Sequence, residues 1–174
     1  MPANHRSFRT WSRSQAECLA NRSQVGRRAP VVATYHGGAS RPQEAPRVLV
    51  VEDEPSLREL TAEWLDGEGF AVTTAENGAE ALGRLQKFRP DVIVLDLMMP
   101  VMDGCAFAEA CHRLTWPRGI PTVLVSAAHD LAQAAERLRP FGVLASVAKP
   151  FDLDVLSAVV GRLAERREAA SQIG

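Results

Sequence analysis

At 174 residues, 46% of them hydrophobic, with 20 basic against 21 acidic side chains, the chain suits one domain with a sizeable core and is no polyelectrolyte. Its cysteines, Cys18, Cys105 and Cys111, are odd in number and lack metal-site spacing, which argues against a disulfide framework or a zinc site and suits free thiols in a reducing cytoplasm. No apolar run approaches membrane-spanning length, so no membrane partner is expected.

Charge divides the chain. Up to Arg47, eight arginines face only Glu17 and Glu44, a balance of +6, and the remainder carries −7. Residues 1–46 are rich in Ser, Arg, Asn, Gly and Pro, with Phe8, Trp11 and Tyr35 scattered and no sustained period, so a basic, disordered tail is expected. Arg27-Arg28 before Ala29-Pro30-Val31-Val32 is a faint export pattern, but Tyr35-His36-Gly37-Gly38 breaks the apolar stretch too early. The tail reads as an inert leader, as sequence upstream of the true start, or as a basic arm for nucleic acid or an acidic partner. Arginine clusters in such tails are commonly just solvated, so nucleic acid is not the expected partner.

Beyond the tail, residues 48–51 form an apolar run that stops on Glu52-Asp53-Glu54. Pro55 suits the first turn of a helix, and Leu57, Leu60, Thr61, Trp64 and Leu65 then recur at helical spacing, which predicts a helix over 55–68 and leaves Glu52 and Asp53 in a strand-to-helix loop. A strand over 71–74 and a helix over 78–88 follow. Residues 92–95 form a run that reads as a strand buried on both faces, ending on one carboxylate, Asp96. Pro100, Asp103 and Gly104 then mark a turn before a helix over 105–114, which Cys105 and Cys111 help to pack. The run 122–125 ends on the hydroxyl of Ser126 and the small Ala127, ahead of a helix over 131–139. The run 143–147 leads to Lys149-Pro150-Phe151, and lysine occurs elsewhere only at Lys87. Asp152 reads as the cap of a last helix over 153–169. Five alternations of strand and helix imply an α/β fold, a doubly wound five-stranded parallel sheet with helices on both faces. In such sheets sites form at the carboxyl edge.

Taken singly, Glu52-Asp53-Glu54 is an acidic helix start, Ser126 a loop hydroxyl and Lys149 a solvated charge. Their joint order, each closing its own strand, points instead to one site. Asp152-Leu153-Asp154-Val155 matches the paired aspartates of haloacid-dehalogenase-type phosphatases, but its place at a helix start removes that reading. His5, His36, His112 and His129 share no spacing. Three carboxylates converging at one edge repel one another unless a cation intervenes. Oxygen ligands without histidine or cysteine favour a hard ion, Mg²⁺ above others. A carboxylate nucleophile can form an acyl phosphate, a transfer that needs alignment and charge neutralisation more than a dedicated base.

The acidic pair, the Asp96 strand, Ser126-Ala127 and Lys149-Pro150-Phe151 together resemble the receiver domain of two-component response regulators, over roughly Arg47 to Arg167. The resemblance, of the single-domain chemotaxis-regulator kind, implies the flavodoxin-like strand order 2-1-3-4-5, with its switch point between the strands that carry Glu52-Asp53 and Asp96. It implies that Asp96 accepts a phosphoryl group from a sensor histidine kinase. Glu52, Asp53, Asp96 and the backbone carbonyl of Met98 would hold Mg²⁺. Ser126 and Ala127 would meet the phosphoryl oxygens, and Lys149 would pair with them, its charge coming into use only once phosphate arrives. The family's aromatic switch position, three before the lysine, is Ser146, so a shallow switch is expected. Met98 and Ala128 place no acid or amide near the phosphoryl group to orient water, which suggests a long-lived phosphorylated state.

The expected organisation is a tail at 1–46, a receiver domain at 47–167 and a short C-terminal tail at 168–174. After Lys149-Pro150-Phe151 only one helix and that tail remain, so the chain is expected to act as a single-domain cytoplasmic regulator rather than an enzyme. Its output would be contact with a downstream protein, phosphate relay, or service as a phosphate sink for a kinase. The face built from 131–139, 143–147 and 153–169 is the one the resemblance assigns to a partner or to a phosphorylation-dependent homodimer. The competing class is a receiver-fold interaction module that no longer uses phosphate, which would have no need of a costly cluster of like charges. Residues before about Pro46 are expected to be dispensable for folding. A chain starting near Ala45 should keep its thermal midpoint within a few degrees, roughly the shift of a 1 kcal/mol change or less; a large loss would show that the tail packs on the body.

Overall fold

A computed structural model of the protein describes residues 44–114, 119–127, 129 and 131–171; most of the expected tail, Ala128 and residues 172–174 lie outside the described residues. Five strands, β1 (Arg47–Val51), β2 (Ala71–Ala75), β3 (Val92–Asp96), β4 (Thr122–Ser126) and β5 (Val143–Ala148), alternate with five helices. These are α1 (Pro55–Gly67), α2 (Gly78–Leu85), α3 (Gly104–Arg113), α4 (Leu131–Leu138) and α5 (Leu153–Ser171). All strand pairings are parallel, in the order β2-β1-β3-β4-β5. No helix among the described residues is long and apolar enough to cross a membrane.

The unbroken apolar runs of β3 and β4 follow from their position, since every residue of both strands is buried between two helical layers. Successive side chains point to opposite faces. Leu49, Val51, Ile93, Leu95 and Leu124 therefore pack with Ala81, Phe107, Leu131 and Leu138 from α2, α3 and α4. Val48, Val50, Val92, Val94, Val123 and Val125 pack with Leu65 of α1 and Leu156, Val160 and Leu163 of α5. Cys105 and Cys111 join the first layer as half-buried apolar groups.

Four of the five helix starts are fixed by a capping carboxylate or amide. Pro55 opens α1 behind Glu54, whose carboxylate accepts from the N–H groups of Ser56 and Leu57 at 3.1 and 2.5 Å. Asn77, Asp103 and Asp152 accept from the backbone of Glu80, Ala106 and Asp154 at 2.9, 2.7 and 2.8 Å at the starts of α2, α3 and α5.

Three features depart from the sequence reading. Helix α2 ends at Leu85, not at Phe88, and the N–H groups of Lys87 and Phe88 both turn to the Arg84 carbonyl in a closing turn; Phe88 reaches the core from the connection and takes the Arg47 guanidinium over its ring, 5.4 Å from the centroid. Helix α5 runs through residues assigned to a tail, to Ser171, on a stretch of strong helix formers that Arg167 ties to the Pro90 carbonyl and the Asp91 carboxylate. Strand β5 carries a bulge: Thr122 faces Val143 but Val123 faces Ala145, leaving Leu144 as the extra residue. The bulge reverses the alternation, so Val143 packs in one layer while Ala145 and Val147 pack in the other.

Backbone strain is concentrated between β3 and α3. Val101 has φ +67° with a β-branched side chain that is 86% exposed, so it packs against little that would compensate. Val101→Asn, which tolerates this conformation without adding glycine's freedom to the unfolded chain, should stabilise the protein by about 1 kcal/mol in chemical denaturation. Unchanged or lower stability would show that the loop bears no such cost.

Candidate functional site

Every strand end named from the sequence converges at the carboxyl edge of the sheet. Glu52 and Asp53 follow β1, Asp96 closes β3, Ser126 closes β4 and is followed by Ala127, and Lys149 follows β5. Parallel register brings them level. The N–H of Lys149 donates to the Ser126 carbonyl at 2.9 Å, and that of Glu52 donates to the Ala75 carbonyl at 3.1 Å. Carboxylate oxygens of Glu52, Asp53 and Asp96 lie within 4.8 Å of one another. Glu52 and Asp96 are each only 5% exposed, and Ser126 is buried beside them.

Lys149 binds this cluster together. Its Nζ donates to both Glu52 carboxylate oxygens, at 2.9 and 2.7 Å, and to Asp96 Oδ2 at 2.7 Å. The other Asp96 oxygen, Oδ1, accepts from the Met98 N–H at 3.1 Å. Burial pushes the Glu52 carboxyl above its ordinary range and the neighbouring Asp96 charge adds to this, outweighing the pull of the ammonium. Burial favours the neutral form of Lys149, but the hydrogen bonds it donates to Asp96 and Glu52, together with their negative charge, outweigh this and its pKa is raised. The expectation that Lys149 acts only once phosphate has arrived is thus corrected. Two buried carboxylates at one edge need a counter-charge in every state, and the ammonium is the one within reach.

The acidic triplet divides its labour. Glu54 turns outward to cap α1, as an acidic helix start would, while Glu52 and Asp53 face the site. Arg58 escaped the sequence reading. From the first turn of α1 its Nη1 donates to the carbonyl oxygens of Glu52, at 2.8 Å, and Asp53, at 3.1 Å. A polar residue on a helix that also carries exposed charges gives no sequence signal for such a contact. Ala127 and Lys149 border an apolar groove of about 420 Å³, which Leu57 and Leu60 of α1 and Pro150, Phe151 and Leu153 complete. Ser146 is exposed on β5, beyond the bulge, and pairs with Leu124.

The donor set suits a hard divalent ion. Three carboxylates with no nitrogen or sulfur ligand form a clustered oxygen site, and the charge density that Lys149 only partly neutralises favours a cation. Chemically, the arrangement offers one carboxylate oxygen for attack, a cation-binding pair beside it, and an ammonium and a hydroxyl on the flanking strands.

The family model of the response regulator receiver domain matches residues 48–161. The DNA-binding response regulator MtrA of Mycolicibacterium smegmatis is 37% identical over 122 residues, a match that covers 70% of this chain and 52% of that protein. Among solved structures, the CheY-like receiver domain protein of Methanospirillum hungatei superposes with a TM-score of 0.66 at 22% identity, covering 72% of this chain and 98% of its own. The receiver domain of Francisella response regulator 1452 does so with 0.63 at 29% identity, covering 70% and 98%. The chain spans about half the length of the first curated relatives it matches.

The loop after Asp96 doubles back under tight steric control. Gly104 donates its N–H to the Leu97 carbonyl at 3.1 Å, and a Cβ there would fall 2.3 Å from the Asp96 carbonyl oxygen and 2.9 Å from Leu97 Cα. Only backbone movement could relieve that overlap. Gly104→Ala should therefore destabilise the fold by about 1–3 kcal/mol and displace Asp96. Denaturant unfolding, with Mg²⁺ titration of the folded fraction, checks both effects; a variant with wild-type stability and wild-type Mg²⁺ binding would show that the loop yields freely.

Proposed function

Because the chain belongs to the response regulator receiver family, we propose that it accepts a phosphoryl group on Asp96 from a sensor histidine kinase and signals through the resulting change in its own surface. Receiver domains take phosphoryl groups from such kinases. The observation that carries the proposal is the Lys149 ammonium bonded to Asp96 and Glu52 at one sheet edge, with Asp53 beside them. This is a nucleophile, a cation-binding pair and a fixed positive charge in a single cluster.

In the proposed step an Asp96 carboxylate oxygen attacks phosphorus. The bond from phosphorus to the donor imidazole nitrogen breaks, its electron pair stays on that nitrogen, and an acyl phosphate forms. Glu52, Asp53, Asp96 and the Met98 carbonyl would hold Mg²⁺, which would supply charge neutralisation and alignment when bound. The Met98 N–H holds Oδ1, which fixes the carboxylate plane before attack. Lys149 then pairs with the phosphoryl oxygens, and Ser126 with the Ala127 N–H receives them from the neighbouring strand. The groove beside Lys149 gives the donor protein an apolar surface next to the reacting carboxylate.

The proposed output is protein contact through α4, β5 and α5, including a second copy of the chain, and the proposed setting is the cytoplasm. With Ser146 in place of an aromatic, the shift in conformation is modest. No turnover of a diffusible substrate belongs to this reading. The expectation that nucleic acid is not a partner draws no support from the relatives, since MtrA is named as DNA-binding, a property of a protein of which the match covers only 52%. A phosphate-independent module is disfavoured because buried like charges are costly to keep.

Incubation with acetyl phosphate and Mg²⁺ should add one phosphoryl group by intact-mass measurement. Asp96→Asn or excess EDTA should prevent it. Label persisting at the wild-type level in Asp96→Asn would overturn the assignment.

A further inference from the structure

Arg58 has no part in the step above, yet it touches the backbone of Glu52 and Asp53, the two residues ahead of the helix cap. Its single Nη1 donates to two consecutive carbonyl oxygens, those of Glu52 and Asp53. Its own N–H donates to the Glu54 carbonyl at 3.0 Å, as the first turn of α1 requires. The side chain therefore folds back over the helix start and ties the β1–α1 loop to α1. Consecutive carbonyls held on one nitrogen restrict the torsions on either side of Asp53, the same torsions that aim the Glu52 and Asp53 carboxylates at Asp96. The guanidinium is permanently charged, and charge-assisted hydrogen bonds of this kind are roughly twice as strong as neutral ones.

Its choice of acceptors distinguishes Arg58 from Lys149. Lys149 binds carboxylate oxygens and so stands where a metal ion would draw its ligands. The hydrogen bonds of Arg58 to Glu52 and Asp53 go to their peptide carbonyls, so it orders this loop without occupying the carboxylate oxygens that a cation would use. A loop ordered in this way loses less freedom when an ion arrives.

Building on the receiver reading, we propose that Arg58 is a positioning residue: it preorganises the Glu52–Asp53 loop for a divalent ion, so that its removal weakens Mg²⁺ binding while leaving the maximal rate of phosphoryl acceptance intact. Two carbonyl contacts are at stake, and the loss of about one charge-assisted hydrogen bond corresponds to roughly a tenfold weaker affinity.

The test measures Mg²⁺ binding by calorimetry and initial rates of phosphorylation by acetyl phosphate across Mg²⁺ concentrations, for wild type, Arg58→Ala, Arg58→Gln and Arg58→Lys. Arg58→Ala should raise the dissociation constant and the half-saturating Mg²⁺ concentration about tenfold, with the rate at saturation within about twofold of wild type. Arg58→Lys, which keeps the charge and a donor, should recover more than half of the loss on a logarithmic scale. Arg58→Gln, neutral but still a donor, separates hydrogen bonding from charge and stands in if the alanine variant fails to fold. An unchanged Mg²⁺ dissociation constant in the alanine and glutamine variants would overturn the inference. So would a fall in saturating rate at constant half-saturation, the mark of a merely structural role. Wild type that binds Mg²⁺ but takes no phosphoryl group would refute the receiver chemistry instead, and the calorimetric comparison would still decide the role of Arg58.

Discussion

The structure depends on one ammonium group shared between two buried carboxylates. Glu52 follows β1 and Asp96 ends the adjacent β3 at the sheet edge, and each is almost wholly withdrawn from water. Like charges so placed would repel and would be poorly solvated, a cost that only an opposite charge in good geometry can offset. Lys149 meets both at 2.7 Å from the end of β5, two strands away from β3. That contact spans most of the sheet's width. It fixes the carboxyl ends of three strands relative to one another and holds the Asp96 carboxylate in place.

The parallel fold is what allows this contact. Parallel strands run level, and Asp96 and Lys149 meet at their shared carboxyl edge. Two steric details set the rest. Gly104 lets the chain after Asp96 fold back on its own backbone, with Gly78 donating its N–H to the Met102 carbonyl at 3.1 Å to hold that loop from α2. The β5 bulge at Leu144 turns Ala145 and Val147 into the α1 and α5 layer and leaves Ser146 exposed.

Much of the fold was legible because buried parallel strands are unbroken apolar runs, and each run here ends on a chemically distinct residue. Glu52-Asp53, Asp96, Ser126 and Lys149 stood out as strand ends before any contact between them was known. What the sequence could not carry were features set by tertiary geometry. The bulge at Leu144 has no glycine or proline to mark it, and Leu144 itself looks like any core residue. Phe88 fits the helical spacing from Leu85, although it packs from a connection. Leu60 and Trp64 continue the apolar stripe of α1 but are 50% and 38% exposed, Leu60 because it lines the open groove beside Lys149. Arg58 and Lys149 were misjudged or missed for a common reason. The partners of a cation are decided by which carbonyls and carboxylates the fold brings within its reach, not by its neighbours in sequence.

If the carboxylates require a cation in every state, Lys149 and a divalent ion are alternatives in the same electrostatic role. The most direct measurement is the stability and Mg²⁺ affinity of Lys149→Ala beside wild type, by denaturant unfolding with and without Mg²⁺ and by calorimetry. The account predicts that the variant without metal is less stable by on the order of 3 kcal/mol, that Mg²⁺ restores a larger share of stability to it than to wild type, and that it binds Mg²⁺ more tightly. Unchanged metal-free stability together with weaker Mg²⁺ binding would contradict it.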